Sequence, residues 1–141
     1  MTDKIFLDTN VLVYAYDTRD ATKQKKAQEI LTVAISSDAY CLSVQVLGEF
    51  FNVVTRKIQN PMSSIDAKAI IDIFRLVPVL DIDLAMVNRA IDTHVRYDLS
   101  YWDALILAAA ERAECRQVYS EDFNHNQIYN NIMVTNPFRH Y

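Results

Sequence analysis

The sequence of 141 residues predicts an α/β sandwich in which helices flank a mainly parallel sheet of about five strands. Three observations predict it. Short, unbroken apolar runs alternate with stretches of helical length and helical periodicity. The runs are apolar throughout, as parallel strands buried on both faces must be. Capping and turn residues (Asp8, Ser43, Asp83 and Ser100) stand where one kind of segment gives way to the other.

In chain order, Ile5 to Leu7 is the first strand. Asp8-Thr9-Asn10 is a turn or helix start, and a helix covers Val11 to Tyr16. Thr22 to Ile35 is a second helix, with Ala27, Ile30, Leu31 and Ala34 on one face. Tyr40 to Leu42 is a second strand. Ser43 caps a helix running to about Lys57, Gln59 to Ser64 is a loop, and another helix runs from Ser64 to about Arg75. Val77 to Leu80 is a strand that carries a proline. Asp83 caps a helix to about Val95, with Leu84, Val87 and Ile91 facing inward. Ser100 caps a helix to about Glu114, and Gln117 to Tyr119 and Ile132 to Val134 complete the strands.

Composition limits the function. Hydrophobic residues make up 51% and charged residues 23%, the profile of an ordinary globular protein. The length suits a single domain spanning 1–141, with no repeat, low-complexity tract or linker to divide it. One glycine cannot build a Gly-rich phosphate loop. A net charge of -4 gives no overall sign of nucleic-acid binding, but steering depends on where charges sit, and an acidic site would use up several of them. Cys41 and Cys115 form no CxxC pair; their pairing stays open, and a reduced state is expected. The start of the chain lacks the apolar core of a signal peptide, and no run reaches membrane-spanning length, so a soluble, cytoplasmic protein is expected.

Four acids occupy places where a carboxylate needs a reason. Asp8 directly follows the first strand, at the sheet's carboxyl edge, where ligands bind in open α/β sheets. Taken alone it is better read as an N-cap or Asx turn. Asp103 shares a helical face with Ile106, Leu107 and Ala110, although Ser100 and Asp103 also resemble a capping box. Glu49 shares a face with Val46, Phe50 and Val53, too far inside its helix to be a cap; Gly48 beside it leaves room for another element. Asp122 follows the fourth strand by way of Ser120-Glu121, near Asp8 if the two strands are neighbours. Gathered together, such carboxylates repel and raise one another's pKa. A hard divalent cation removes that penalty, and two ions about 4 Å apart can activate water and stabilise the leaving oxygen at phosphorus. No histidine is then required, and His94, His125 and His140 lack metal-ligand spacing.

The segments IFLDTNVLVY, QVLGEFFNV, LSYWDALILAAA, VYSEDF and VTNPF, in this order, resemble the PIN-domain family, and in particular the VapC-like toxins of type II toxin–antitoxin systems. The resemblance spans almost the whole chain. It implies a PIN-like three-layer sandwich and endonucleolytic cleavage of RNA with Mg²⁺ or Mn²⁺. It also implies an acidic site of Asp8, Glu49, Asp103 and Asp122, with Asn10 and Ser120 in support. A homodimer and a cognate antitoxin protein would be its partners. Ser120 stands where many members have threonine, and Glu121 adds a charge of unassigned role.

Other residues carry less. Tyr14, Tyr16, Tyr101 and Trp102 suit base stacking, but packing is the plainer reading. Lys23, Lys25 and Lys26, Arg56-Lys57 and Arg112 read as solvated cations. Phe50, Phe51, Met62 and Phe74 suggest that the helices over 43–75 contribute to a dimer interface. Two rival functions stand. Phosphatases with an aspartate nucleophile also place it after the first strand, but in a DxD motif whose third position here is Asn10. A non-catalytic PIN-like RNA-binding or interaction module would have lost acids that are all present here.

Overall fold

A computed structural model describes residues 3–139. The elements, in chain order, are β1 (Lys4–Leu7), α1 (Thr9–Tyr14), α2 (Ala21–Ile35), β2 (Tyr40–Ser43), α3 (Val44–Val54), α4 (Ser64–Phe74), β3 (Val79–Leu80), α5 (Leu84–Tyr97), α6 (Tyr101–Arg112), β4 (Cys115–Tyr119), β5 (Ile128–Tyr129) and β6 (Ile132–Thr135). Among the described residues the sheet has six strands in the order β3-β2-β1-β4-β6-β5. All pairings are parallel except that of β5 with β6. The predicted α/β architecture with a mainly parallel sheet is thus observed, with one strand more than expected.

That strand has a local cause. Asn130 and Asn131 both take positive φ, 50° and 67°, and join β5 to β6 through the kind of two-residue turn that matches the twist of a hairpin. Asn tolerates the left-handed region better than most residues. The Asn-Asn pair was the signal, and the short flanking run hid it.

Capping fixes the helix starts as the sequence implied. Ser43 Oγ accepts the Val46 N–H, an Asp83 carboxylate oxygen the Met86 N–H, and Ser100 Oγ the Asp103 N–H. The ends fall earlier than expected for α3 and α6. Thr55 Oγ1 donates to the Phe51 carbonyl where α3 stops, and Glu114, with φ of 60°, leaves helical geometry after α6. In β3 the ladder begins after Pro78, which has no N–H to give, although its carbonyl accepts the Leu42 N–H.

The core is continuous around α6, where Ala104 to Ala110 are all buried. A helix buried on every side is one enclosed by the fold rather than laid on its surface. It packs against β2, β4 and β6 and most extensively against α5. That last contact overturns the expected orientation of α5. Met86, Ala90 and Thr93 face inward, while Leu84 and Ile91 are exposed and Val87 only half-buried. The small Ala90 and Thr93 let α5 lie close to the alanine-rich surface of α6, with Met86 on the same inward face, and the stripe of Leu84 and Ile91 turns out. Two ion pairs, Arg89–Glu111 at 2.9 Å and Arg112–Asp83 at 2.8 Å, flank this contact. Phe50 and Phe74 likewise sit in the chain's own core, in edge-to-face contact with each other and with Tyr16, and are not free for an interface.

The inward face of α5 makes a stability prediction. Met86→Ala should cost about 2–5 kcal/mol and Ala90→Leu about 1–3 kcal/mol in urea unfolding. Changes of about 0.5 kcal/mol or less at both positions, the range of surface substitutions, would mean that the aliphatic stripe is the buried one.

Candidate active site

Strand order decides where ligands can enter. From β1 the chain moves to β2 on one side, then returns to β4 on the other. The carboxyl ends of β1 and β4 therefore flank the switch point. Asp8 follows β1 and Ser120 follows β4, and the pairing of Leu7 with Tyr119 brings them side by side.

Asp8 is 3% exposed and Ser120 fully buried. One Asp8 oxygen accepts the Thr9 N–H at 2.7 Å, as the N-cap of α1, and the other accepts the Ser120 hydroxyl at 2.6 Å. The Asp8 N–H donates to the Tyr119 carbonyl. Ser120 Oγ also accepts from Asn10 Nδ2 at 3.3 Å and from the Asp122 N–H at 3.1 Å. Asn10 Oδ1 in turn accepts the Glu121 N–H at 3.3 Å. Asn10 and Ser120 thus lock the two strand ends together.

Glu49, on α3, is held from both sides. Thr9 Oγ1 donates to one of its oxygens at 2.7 Å and Gln45 Nε2 to the other at 3.0 Å. Gln45 Nε2 also reaches the Trp102 carbonyl at 3.0 Å, tying α3 to α6. Thr9 and Gln45 were not singled out from the sequence; Gln45 lies one helical turn before Glu49, which was the available signal. Gly48 does not serve a close approach: it is exposed, and a Cβ there would meet nothing within 4 Å.

The four acids act on one another. Burial pushes Asp8 up to about 7; its bonds from Ser120 and Thr9 oppose this, and the charges of Asp122 and Glu49 add to it. Asp103, half-buried in the first turn of α6, is also raised, by burial first and then by Asp122 and Glu49, against the bond with Ser100. Asp122 is exposed at the rim. The remaining acid of this region, Glu121, turns aside: Lys23 Nζ lies 2.5 Å from one oxygen, and the Tyr14 hydroxyl donates to the other. The histidines stand apart, His94 against the Leu99 carbonyl and His125 accepting the Asn136 N–H. His140 lies outside the described residues.

The donor set is oxygen-rich and suits a hard divalent cation. Among the described residues, no group of three or more His, Cys, Asp or Glu side chains forms a ready metal cage. Mg²⁺ does not need one, because it commonly keeps several waters and takes one or two carboxylates directly. Asp8 held up to about 7 by burial and two acidic neighbours is the electrostatic state that a cation would relieve. Beside the acids, a cavity of about 470 Å³ is lined by Thr9, Asn10, Arg19, Glu49, Lys57 and Asp122, among others.

A mainly parallel sheet with acids at its switch point defines an α/β protein with a candidate site at its strand ends. The chain belongs to the PIN domain family, whose model matches residues 5–131, a family of nucleases. None of the curated proteins matches the chain. Among solved structures it resembles VapC20 of Mycobacterium tuberculosis, a toxin that cleaves the sarcin-ricin loop, with 22% identity, a TM-score of 0.69, and coverage of 86% of this chain and 92% of that one. A toxin–antitoxin complex from Klebsiella pneumoniae matches with 16% identity, a TM-score of 0.69, and coverage of 95% and 98%. DNA-bound VapBC from Salmonella typhimurium matches with 18% identity, a TM-score of 0.65, and coverage of 94% and 96%. At these identities the likeness is one of fold. Among the described residues, no helix is long and apolar enough to cross a membrane.

The raised carboxyls imply a pH dependence with a definite sign. A carboxyl whose pKa is higher in the folded state stabilises the fold in acid, and that contribution disappears as pH rises through the folded value. In EDTA, the melting temperature should therefore lose the Asp8 contribution between the ordinary carboxylate range and about pH 7. Asp8→Asn, which retains a capping side chain, should flatten that slope. Parallel melting curves for the two proteins across this range would show that Asp8 is not the strained group.

Proposed function

We propose that this chain is a Mg²⁺- or Mn²⁺-dependent endoribonuclease, the toxin of a toxin–antitoxin pair. The observation that carries the reading is that Asp8 and Asp103, at the switch point of a PIN-domain sheet, are both raised by burial and then by the charges of Asp122 and Glu49. These four residues are the proposed metal-binding and catalytic acids, with Asn10 and Ser120 in support. A bound divalent cation would supply activated water and neutralise charge developing on the phosphate oxygens. Ser120 and Thr9 orient the Asp8 and Glu49 carboxylates and leave each oxygen a further lone pair for a ligand. Trp102, 62% exposed beside the Gln45 bridge, is the aromatic best placed to stack on an unpaired base. Tyr16 is not available for this, since it packs on Phe50 and Phe74.

The aspartyl-phosphate alternative is disfavoured because the third position of its DxD motif is Asn10 here, which is engaged with Ser120 and the Glu121 N–H. The non-catalytic module is disfavoured because all four acids are present. A cognate antitoxin is proposed as partner, supported by the toxin–antitoxin complexes of similar fold. A second copy is proposed on α5, where Leu84 and Val95 are 74% and 75% exposed and Ile91 lies between them on the same stripe.

Two experiments test this. The purified protein should cut single-stranded or looped RNA with Mg²⁺ or Mn²⁺ and stop in EDTA. Asp8→Asn should lower cleavage by more than about 100-fold and Ser120→Ala by about 10- to 100-fold. Wild-type rates in Asp8→Asn would mean that the nuclease is a contaminant or uses another site. For assembly, light scattering should show a dimer at micromolar concentration, and Leu84→Lys with Val95→Glu should yield a folded monomer. An unchanged mass would place the interface elsewhere.

A further inference from the structure

Two cysteines far apart in sequence meet in the fold. Cys41 on β2 and Cys115 on β4 lie on either side of β1, and their Sγ atoms are 2.9 Å apart. Both are buried and neither is bonded to another sulfur. A disulfide has an S–S length of about 2.05 Å, so the sulfurs must close by about 0.9 Å, and β2 and β4, which β1 separates, must draw together with them. The pair lies toward the amino end of the sheet: Cys41 is in register with Phe6 and Cys115 with Lys4, whereas the acidic cluster begins after Leu7. The nuclease reading gives these thiols no task, and it is independent of them.

We propose that Cys41 and Cys115 form an oxidisable dithiol that closes to an intramolecular disulfide across β1 when the protein meets a peroxide. One sulfur of the pair attacks one peroxide oxygen and the O–O bond breaks, leaving a sulfenic acid and releasing one water. The other sulfur then attacks the sulfenic sulfur, the S–O bond breaks and a second water leaves. In sum, two thiols lose two electrons and two protons, and one peroxide becomes two waters.

The shared hydrogen bond and the charge of Lys4 draw the Cys41 thiol below its usual range against the effect of burial, and the same bond and burial push Cys115 up. Once formed, the bond would staple β2 to β4 and close a loop spanning 74 positions, which restricts the unfolded chain.

The test is thiol trapping on the full-length protein. Native wild type is treated with hydrogen peroxide, then unfolded in iodoacetamide and weighed. The expected product carries no alkyl groups, weighs two hydrogens less than the reduced chain, runs as a monomer without reductant, and regains both thiols in dithiothreitol. Its melting temperature should rise by about 5 °C or more. Cys115→Ser and Cys41→Ser should each abolish the loss of two hydrogens and the rise in melting temperature. Two alkylated thiols in peroxide-treated wild type, overoxidation without a disulfide, or disulfides only between chains would each overturn the proposal.

Discussion

The site and the sheet meet in the hydrogen bond from Ser120 to Asp8. A carboxylate at 3% exposure needs partners, and among the described residues the one side chain bonded to it is a hydroxyl that is itself fully buried. The bond exists because β1 and β4 are neighbours in register, so that Leu7 pairs with Tyr119 and the next residues of each strand meet beyond the ladder. Ser120 then collects Asn10 and the Asp122 backbone, and Asp8 starts α1. Removing this one contact would loosen the helix start, the strand-end junction and the placement of two acids together.

The same economy governs charge. Five acids crowd the carboxyl edge, but Lys23 and Tyr14 engage Glu121, so its charge is answered within the protein. Asp17, buried nearby, is held by Arg19 through a two-pronged contact that draws it below the usual carboxylate range. Lys23 and Arg19 thus neutralise flanking acids. Asp8 and Asp103 receive no such relief and stay raised, the condition in which an external cation gains most by binding. The role of Glu121 is accordingly to anchor the loop after β4 to α1 and α2.

Packing of small residues shapes the surface as much as the core. The alanines of α6 draw α5 close through Ala90 and Thr93, and the geometry of a helix then commits Leu84, Ile91 and Val95 to the outside. An apolar stripe on a surface helix is normally read as its inner face, which is why periodicity alone assigned it wrongly. The inner face instead joins Met86 to the small Ala90 and Thr93, which let α5 lie close to α6.

Much was legible in the residues themselves. Apolar runs, caps at Ser43, Asp83 and Ser100, and acids set just after strands or on apolar helix faces are local features, and local sterics and hydrogen bonding hold them in place. The order of motifs also carried the PIN-domain resemblance and, through it, the four acids. What the sequence did not contain was distance between remote parts. The Ser120–Asp8 bond spans 112 positions, the Thr9–Glu49 bond 40, and the Cys41–Cys115 contact 74. Gln45, the Lys23–Glu121 pairing and the outward stripe of α5 depend likewise on which surfaces meet. By itself the sequence determined the kind of elements, their starts and the chemical character of the strand ends. Only the tertiary structure decided which side chains share a charge, a proton or a buried face, because those energies arise from contacts between segments that local propensity does not encode.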